Sequence, residues 1–432
     1  MKLTEYQQAF GAWDKTGEAM SKAIREWFSL YYRDSADDNG DPCQRIAYTV
    51  VNKLSKAVFS EYTATCEQPF YRQVLRSLNE KSRQALELAL VGGECYIKPC
   101  PTEKSFRFAV IPRDQVLVFS RDSDGEITDM GCAHHSIRGK YYYTLLERRR
   151  VDDRGYLTIE NTLYRSLNDR SIGTRAPLAE LPEYRDFAPI YTFPVPIGSV
   201  GLWRLKTPML NCVDGSREGV SVYAPAVGLI RSINENEAQL AGEFRRGQSR
   251  ILVSRDLLDK DGSLSQSLFV GLDEDPEQVG LHIFSPQLRE ESYLARKQEY
   301  LRNVESVIGL QRGMLSDINR YDRTATEISA SEGEFNLTVM DFQQMWEEGV
   351  RGTLALCAVL GKIYGLCPGE EPQVQIDWGN GVLYDEDKLW QDYRAMVSEG
   401  LIAPEVALGW RFNLPADTPQ QREFIRKKYM SQ

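Results

Sequence analysis

Thr324-Ala-Thr-Glu327 opens the longest helical stretch of this chain, directly after the polar, glycine-containing loop Gln311 to Arg323. A threonine followed three residues later by a glutamate is a capping box, in which each side chain takes the other residue's otherwise unpaired backbone N–H. Beyond it, apolar residues recur at Ile328, Phe335, Val339, Phe342, Trp346, Val350, Leu354, Cys357, Leu360 and Tyr364. These intervals of three, four or seven trace one face of a 3.6-residue period. A helix from Ala325 to Tyr364 would be roughly 60 Å long, more than the width of a small domain. A strut entered from a loop of Gly, Arg and Asp, instead of from a pocket of catalytic groups, directs attention to assembly and mechanics.

Two more long helices precede it. Val222 to Arg246 carries Tyr223, Val227, Ile230, Ile233, Leu240 and Phe244 on one side, and Arg289 to Ile308 carries Tyr293, Leu294, Leu301, Val304 and Ile308. Between them, residues 248–287 form a small unit: strand Arg250 to Ser254, an acidic loop with Asp273-Glu274-Asp275-Pro-Glu277, and strand Gly280 to Phe284 that includes His282. The chain leaves along one helix, makes a β tip and returns along the other. Two antiparallel helices alone cover little apolar area, so these stripes are expected to bury themselves against further copies of the chain.

Residues 1–90 read as helices over Tyr6 to Tyr32, Cys43 to Tyr62 and Tyr71 to Val91, ending at Gly92-Gly93. Short strands follow at Cys95 to Lys98, Phe106 to Ile111, Gln115 to Phe119, Met130 to His135, Tyr141 to Glu147 and Tyr156 to Tyr164. Asp122-Ser-Asp-Gly125 and Asp152-Asp-Arg-Gly155 supply turns of antiparallel type. Pro194, Pro196, Gly198 and Gly201 mark a boundary. After the strut come a strand, Gln373 to Trp378, and helices Asp385 to Glu399, Ala403 to Trp410 and Thr418 to Tyr429, the last two with Pro404 and Pro419 near their starts. The fold class is α+β.

Composition narrows the function. With 432 residues, 42% of them hydrophobic, the chain has material for about three domains. No apolar run is long enough to span a bilayer, and the polar N-terminus lacks a secretory signal, so no membrane association is expected. Eight cysteines without C-x-x-C spacing read as reduced core thiols. Sixty-two acids against 52 bases give a net charge of −10, unlike a protein that grips nucleic acid by neutralising phosphates; an acidic passage would instead keep DNA from sticking. There are three histidines. His134 and His135 are neighbours on a strand and point to opposite faces, and no second ligand pair accompanies them, so no metal site is expected. Phosphate-loop, nucleophile-elbow and H-E-x-x-H motifs are absent, and Asp152-Asp153 sits in a turn. Arg148 to Arg150, Arg245 with Arg246, and Arg422 with Arg426 to Lys428 read as solvated faces. Neither an enzyme nor a cofactor is indicated.

The order of parts, together with Gly219-Val-Ser-Val-Tyr223 opening one helix, Phe244-Arg-Arg-Gly247 closing it and Arg323-Thr-Ala-Thr-Glu-Ile328 opening the strut, resembles the portal proteins of tailed bacteriophages, the head-to-tail connectors. Over essentially the whole chain it looks most like those of long-tailed phages infecting Gram-positive bacteria. The resemblance implies a portal-type multidomain subunit: an α/β wing (1–205), linker and first stem helix (206–247), clip (248–287), second stem helix (288–310), tunnel loop (311–324), long helix and returning wing strand (325–383), and crown (384–432). Gln311, Arg312, Asp317, Arg320, Asp322 and Arg323 would face DNA from the tunnel loop, and Thr324 and Glu327 would cap the strut. Tyr223, Ile230, Phe244, Arg245, Arg246, Tyr293 and Leu301 would belong to the stem, and Arg250, Asp273, Glu274, Asp275 and His282 to the clip.

The same resemblance implies a ring homo-oligomer of twelve copies at one capsid vertex of the virion, made in the host cytoplasm. Its partners would be the terminase large subunit, head-completion or adaptor proteins, the major capsid and scaffolding proteins, and double-stranded DNA passing through. Deleting Arg312 to Tyr321 is expected to spare assembly and impair packaging. One alternative is another virion scaffold or adaptor, which needs no loop facing a lumen. A second is a metal-dependent nuclease, for which the sequence offers no well-placed acidic cluster.

Overall fold

The structure, a computed structural model, describes residues 3–32, 43–246, 250–253, 281–284, 288–317, 325–366, 371–379, 386–412, 414–416 and 418–430. Arg320, Asp322, Arg323, Thr324, Asp273, Glu274 and Asp275 lie outside the described residues, so the capping box and the acidic loop do too.

Five helices lead: α1 (Leu3–Phe10), α2 (Glu18–Tyr31), α3 (Ile46–Val58), α4 (Pro69–Asn79) and α5 (Ser82–Gly92), with strand β1 (Thr63–Cys66) between α3 and α4. Tyr6 to Tyr32 is thus two helices. Asp14 Oδ1 takes the backbone N–H of Thr16 and of Val118, giving the chain an alternative to helical pairing at the break. Tyr71 to Val91 also divides, at Glu80-Lys81, where Ser82 Oγ bonds back to Asn79 O.

Three strands, β2 (Glu94–Pro101), β3 (Phe106–Pro112) and β10 (Trp203–Lys206), make one sheet with β2 central. A six-stranded antiparallel sheet runs β4 (Val116–Arg121), β5 (Ile127–Arg138), β6 (Tyr141–Val151), β7 (Leu157–Ser166) and β8 (Thr174–Ala176), and β9 (Ile190–Thr192) also pairs with β7. The two aspartate turns form as their sequences specify. Asp122 Oδ1 accepts the N–H of Asp124 and Glu126, and Asp152 Oδ1 those of Arg154 and Tyr156.

Helices α6 (Val227–Arg246) and α7 (Glu290–Ile308) follow, with β11 (Arg250–Val253) and β12 (Leu281–Phe284) pairing antiparallel between them in sequence. Next is α8 (Ala325–Ile363), then β13 (Val374–Asp377), which pairs with β1 across more than three hundred residues of chain. The C-terminal helices are α9 (Glu386–Ser398), α10 (Pro404–Arg411) and α11 (Pro419–Tyr429). A full capping box does occur, at the start of α11, between Thr418 and Gln421.

The stripe of α8 is buried from Phe335 through Leu360, while Tyr364 lies past the helix end and is exposed. Its partners are within the chain. One hydrophobic cluster joins Trp27, Leu54, Tyr71, Leu86 and Leu90 of the leading helices to Tyr223, Ile230, Val304, Trp346 and Leu354. The stripes of α6 and α7 therefore do not wait for another copy: Ile230, Ile233, Leu240, Leu301, Val304 and Ile308 are already buried. The sequence-based expectation fails because it counted only two helices, whereas the leading helices and α8 cover them as well. Towards the far end of the pair Phe244 and Leu294 remain 43% and 45% exposed.

Close approach fixes how these parts meet. On α8, a Cβ on Gly352 would come within 2.1 Å of the Trp203 ring and one on Gly349 within 2.8 Å of Leu205 Cδ1, so β10 lies in a groove that only glycine leaves open. Where α5 turns into β2, Gly93 has φ +80° and stands against Gly219, which leads into α6; a Cβ on Gly219 would sit 2.2 Å from Gly93 O. Thr207 seals the contact, donating from N to Gly93 O, with its hydroxyl 2.8 Å from Val220 O and 3.0 Å from Gly93 O and able to donate to one of them at a time. Gly219→Ala is expected to lower stability by about 3 kcal/mol, since backbone must move. Gly139→Ala, in the open β5–β6 turn with nothing within 4 Å, should cost only about 1 kcal/mol. Thermal unfolding of the two variants checks the difference.

Candidate functional site

Chemistry-bearing groups are taken up in packing. Among the described residues no set of three or more His, Cys, Asp or Glu could hold a metal ion. His135 lies beside the Tyr6 ring and Thr144 Oγ1, whereas His134, its neighbour on β5, feels the charges of Lys98, Glu147 and Arg149. Burial, reinforced by Lys98, pushes His134 down to about 4. Glu147 is buried between Lys98 and Arg149, and Arg149 reaches on to Val200 O, tying the two sheets to the boundary stretch.

The arginine clusters are not plain solvated faces. Arg148 grips Asp129 through two bonds of 3.0 and 2.7 Å and bonds Phe10 O, and Arg149 is buried; Arg150, paired with Glu160, is exposed. Arg426 pairs with the buried Glu405. Sequence reading missed these because, apart from Glu147 beside Arg149 on β6, the partners lie on other strands and helices.

The remaining candidate is the α6–α7 pair and the segment that leaves it. Contacts run antiparallel: Asn236 Nδ2 donates to Tyr293 O, Lys297 Nζ to Glu237 Oε2, and Arg289 to both oxygens of Glu243 at 3.0 and 2.7 Å. Hydrogen bonding and the charge of Arg289 hold the Glu243 carboxyl below the usual carboxylate range. Near the core the pair meets through Ile230, Ile233, Leu301 and Val304, and farther out through polar contacts. Polar groups of the two helices, among them Glu235, Gln239, Arg296 and Tyr300, line an open groove of about 420 Å³.

The expected site residues distribute along this unit. Tyr223 is fully buried just before α6, its hydroxyl donating to Trp27 O at 2.8 Å, and Ile230 and Leu301 are core residues. Phe244 and Arg245 are exposed at the far end, Arg246 closes α6, and Tyr293 is half-buried on α7. Arg250 opens β11 opposite Phe284, His282 stands opposite Leu252, and Glu327 falls in the first turn of α8. Gln311 is half-buried, while Arg312 and Asp317 are exposed. The segment carrying them folds back on α7, where the buried Glu305 accepts N–H groups of Gly313, Leu315 and Ser316. Glu305 was missed in the sequence, where it looks like one more charged residue of an amphipathic helix.

A family model described as "Phage portal protein, SPP1 Gp6-like" matches residues 75–424. The chain is similar to a chain in the neck of a native GTA particle computed with C12 symmetry, at 13% identity over 96% of this chain and 99% of that one, with a TM-score of 0.46. It is also similar to a chain in the neck of an empty GTA particle computed with C6 symmetry, at 14% identity over 94% and 97%, with a TM-score of 0.47. No curated protein matches it.

The depressed His134 gives a pH test. With an ordinary value near 6.5 when unfolded and about 4 when folded, only the unfolded chain takes up this proton as pH falls between those values, so acid favours unfolding. Between pH 7 and pH 5 the loss is on the order of 1–2 kcal/mol. His134→Gln should therefore lose less thermal stability than the parent over that interval, and equal losses would refute the assignment.

Proposed function

This chain belongs to the SPP1 Gp6-like family of phage portal proteins, a structural and not a catalytic family, and from that premise we propose that it forms the ring-shaped channel at one capsid vertex. DNA is packaged through the ring by the terminase and later ejected, and head-completion or tail proteins attach to it. The observation that carries this reading is the family match itself, which runs through α6, α7 and α8 together. In it, α6 and α7 are the stem, residues 248–287 the clip, 311–324 the tunnel loop, 384–432 the crown, and the leading domain with α8 and β13 the wing. Twelve copies close the ring in the virion, and the particle is that of a long-tailed phage of a Gram-positive host.

Support for the assembly comes from what the single chain leaves uncovered. Phe244 and Leu294 near the clip end of the stem, and Leu337 and Met340 on the outward face of α8, are large apolar side chains in solvent. A head-to-tail interface that closes on itself would cover different faces of each copy and produce a ring. The net charge of −10 suits a conduit that does not hold its cargo.

The structure alters the expected loop deletion. Removing residues 312–317 would take away the hydrogen-bond donors of a buried carboxylate, so a deletion that spares folding must begin after Asp317. Electron microscopy of the purified protein should show rings with a central hole. Particles carrying a deletion of Ile318 to Tyr321 should hold an intact ring but less DNA. A protein that stays a lone subunit in solution and in particles would sink the proposal, and normal DNA content in the deletion variant would sink the role of the loop.

A further inference from the structure

Resting on the portal reading, we propose that Glu305 is the positioning residue of the tunnel loop: it fixes residues 310–317 as a rigid root along α7 and so sets the direction in which the chain departs at Asp317. The geometry starts at the end of the helix. Leu310 N–H bonds to Glu305 O at 2.8 Å and Gly309 N–H to Ser306 O at 3.4 Å, a Schellman turn that needs the left-handed backbone of Gly309, φ +75°. The side chain of Glu305 then takes over from its carbonyl. Its Oε1 accepts the N–H of Gly313 at 3.1 Å, of Leu315 at 2.5 Å and of Ser316 at 2.8 Å, and its Oε2 accepts the Ser316 hydroxyl at 2.8 Å. One fully buried residue thus holds the segment through both its main chain and its side chain.

Packing alone does not explain a carboxylate there. Leu301, Val304 and Ile308, on the same face of α7, are buried apolar residues, and a leucine at 305 would continue their stripe. An ionised carboxylate taken out of water is costly unless its oxygens are satisfied. All four of these bonds come from residues 313–316, and none of the ion pairs found among the described residues involves Glu305. The charge therefore serves that segment: converging backbone N–H groups form a concavity for an anion, and the anion defines their geometry in return.

The root also has a direction. Asp317 N–H donates at 2.8 Å to Gln298 Oε1, seven residues before Glu305 and about 10 Å back along the helix. Residues 313–317 accordingly run antiparallel to α7, back towards the clip end of the stem. On its other side the turn is wedged against α8, because a Cβ on Gly309 would lie 2.5 Å from Thr338 Oγ1.

Hydrogen exchange of the assembled full-length protein, without DNA or capsid, tests the root. Amides of Gly313, Leu315 and Ser316 should be protected in the parent and exchange about 100-fold faster in Glu305→Ala. Glu305→Gln keeps the shape and one acceptor but loses the charge, and should exchange about 10-fold faster with the ring intact by microscopy. Should the alanine variant fail to fold, the glutamine variant decides alone. Particles built with Glu305→Gln should carry less DNA although the ring is present. Unchanged exchange in Glu305→Gln would overturn the proposal, and so would faster exchange with normal DNA content, which would reduce Glu305 to a structural role. A parent protein missing from the particle vertex would instead defeat the portal premise, with the exchange result standing on its own.

Discussion

A carboxylate that never sees water, that of Glu94, holds the main joint of this molecule together. It accepts Arg204 at 2.9 and 2.5 Å, the Tyr96 hydroxyl at 2.7 Å and the Gly219 N–H at 3.2 Å, and it pairs with Arg113 at 3.0 Å. Arg113 continues to Glu218, Val116 O and Thr16 Oγ1, and Arg121 reaches Glu218 as well. Burial alone would raise the Glu94 carboxyl, but Arg204 and Arg113 prevail and hold it well below the usual carboxylate range. The cluster ties the loop before α2, both sheets and the approach to α6 into one piece. Removing one partner from such a set strands the others, which is why buried ion pairs are more damaging to break than they are stabilising to have.

From this joint the long helices acquire their bearings. Gly219 is pinned by Glu94 and Gly93, Val222 N–H and Ser221 Oγ both bond Leu90 O, and the Tyr223 hydroxyl reaches Trp27 O, so α6 starts from four fixed points on the leading domain. Its first half then shares the core with α7 and α8. Beyond Leu240 the pair is joined by side-chain hydrogen bonds and the Arg289–Glu243 bridge at the surface, which are worth less and yield more easily. A portal subunit of this build is stiff at its root and grows more compliant towards the β11–β12 end.

The sequence was legible wherever the decisive contact is local. The stripe of α8, the two aspartate turns and the ends of α7, α9, α10 and α11 follow from periodicity and from residues within a few positions. What stayed hidden has partners far along the chain. β1 is a four-residue Thr-Ala-Thr-Cys run that becomes a strand only beside β13, and β10 needs the groove at Gly349 and Gly352. The Gly219 to Tyr223 stretch stood out as a family-like motif, yet its reason, contact with Gly93, Leu90 and Trp27, is invisible in one dimension. Burial of the α6 and α7 stripes was misjudged for the same cause: a periodic face announces that it will be covered without saying by what.

Four of the buried acids share a placement at a junction, where apolar residues would not fix the geometry. Glu94 sits where a helix turns into a sheet, Glu147 where the two sheets meet, Glu305 where α7 ends, and Glu405 where α10 packs on α11. Apolar contacts of equal area would stabilise each junction as well, but they are nearly indifferent to sliding and rotation. Hydrogen bonds to a carboxylate are strict in distance and angle. In this chain the cores supply cohesion and these few charges supply angle, and an error of a few degrees at Glu94 would grow to about 2 Å at the far end of a helix about 30 Å long.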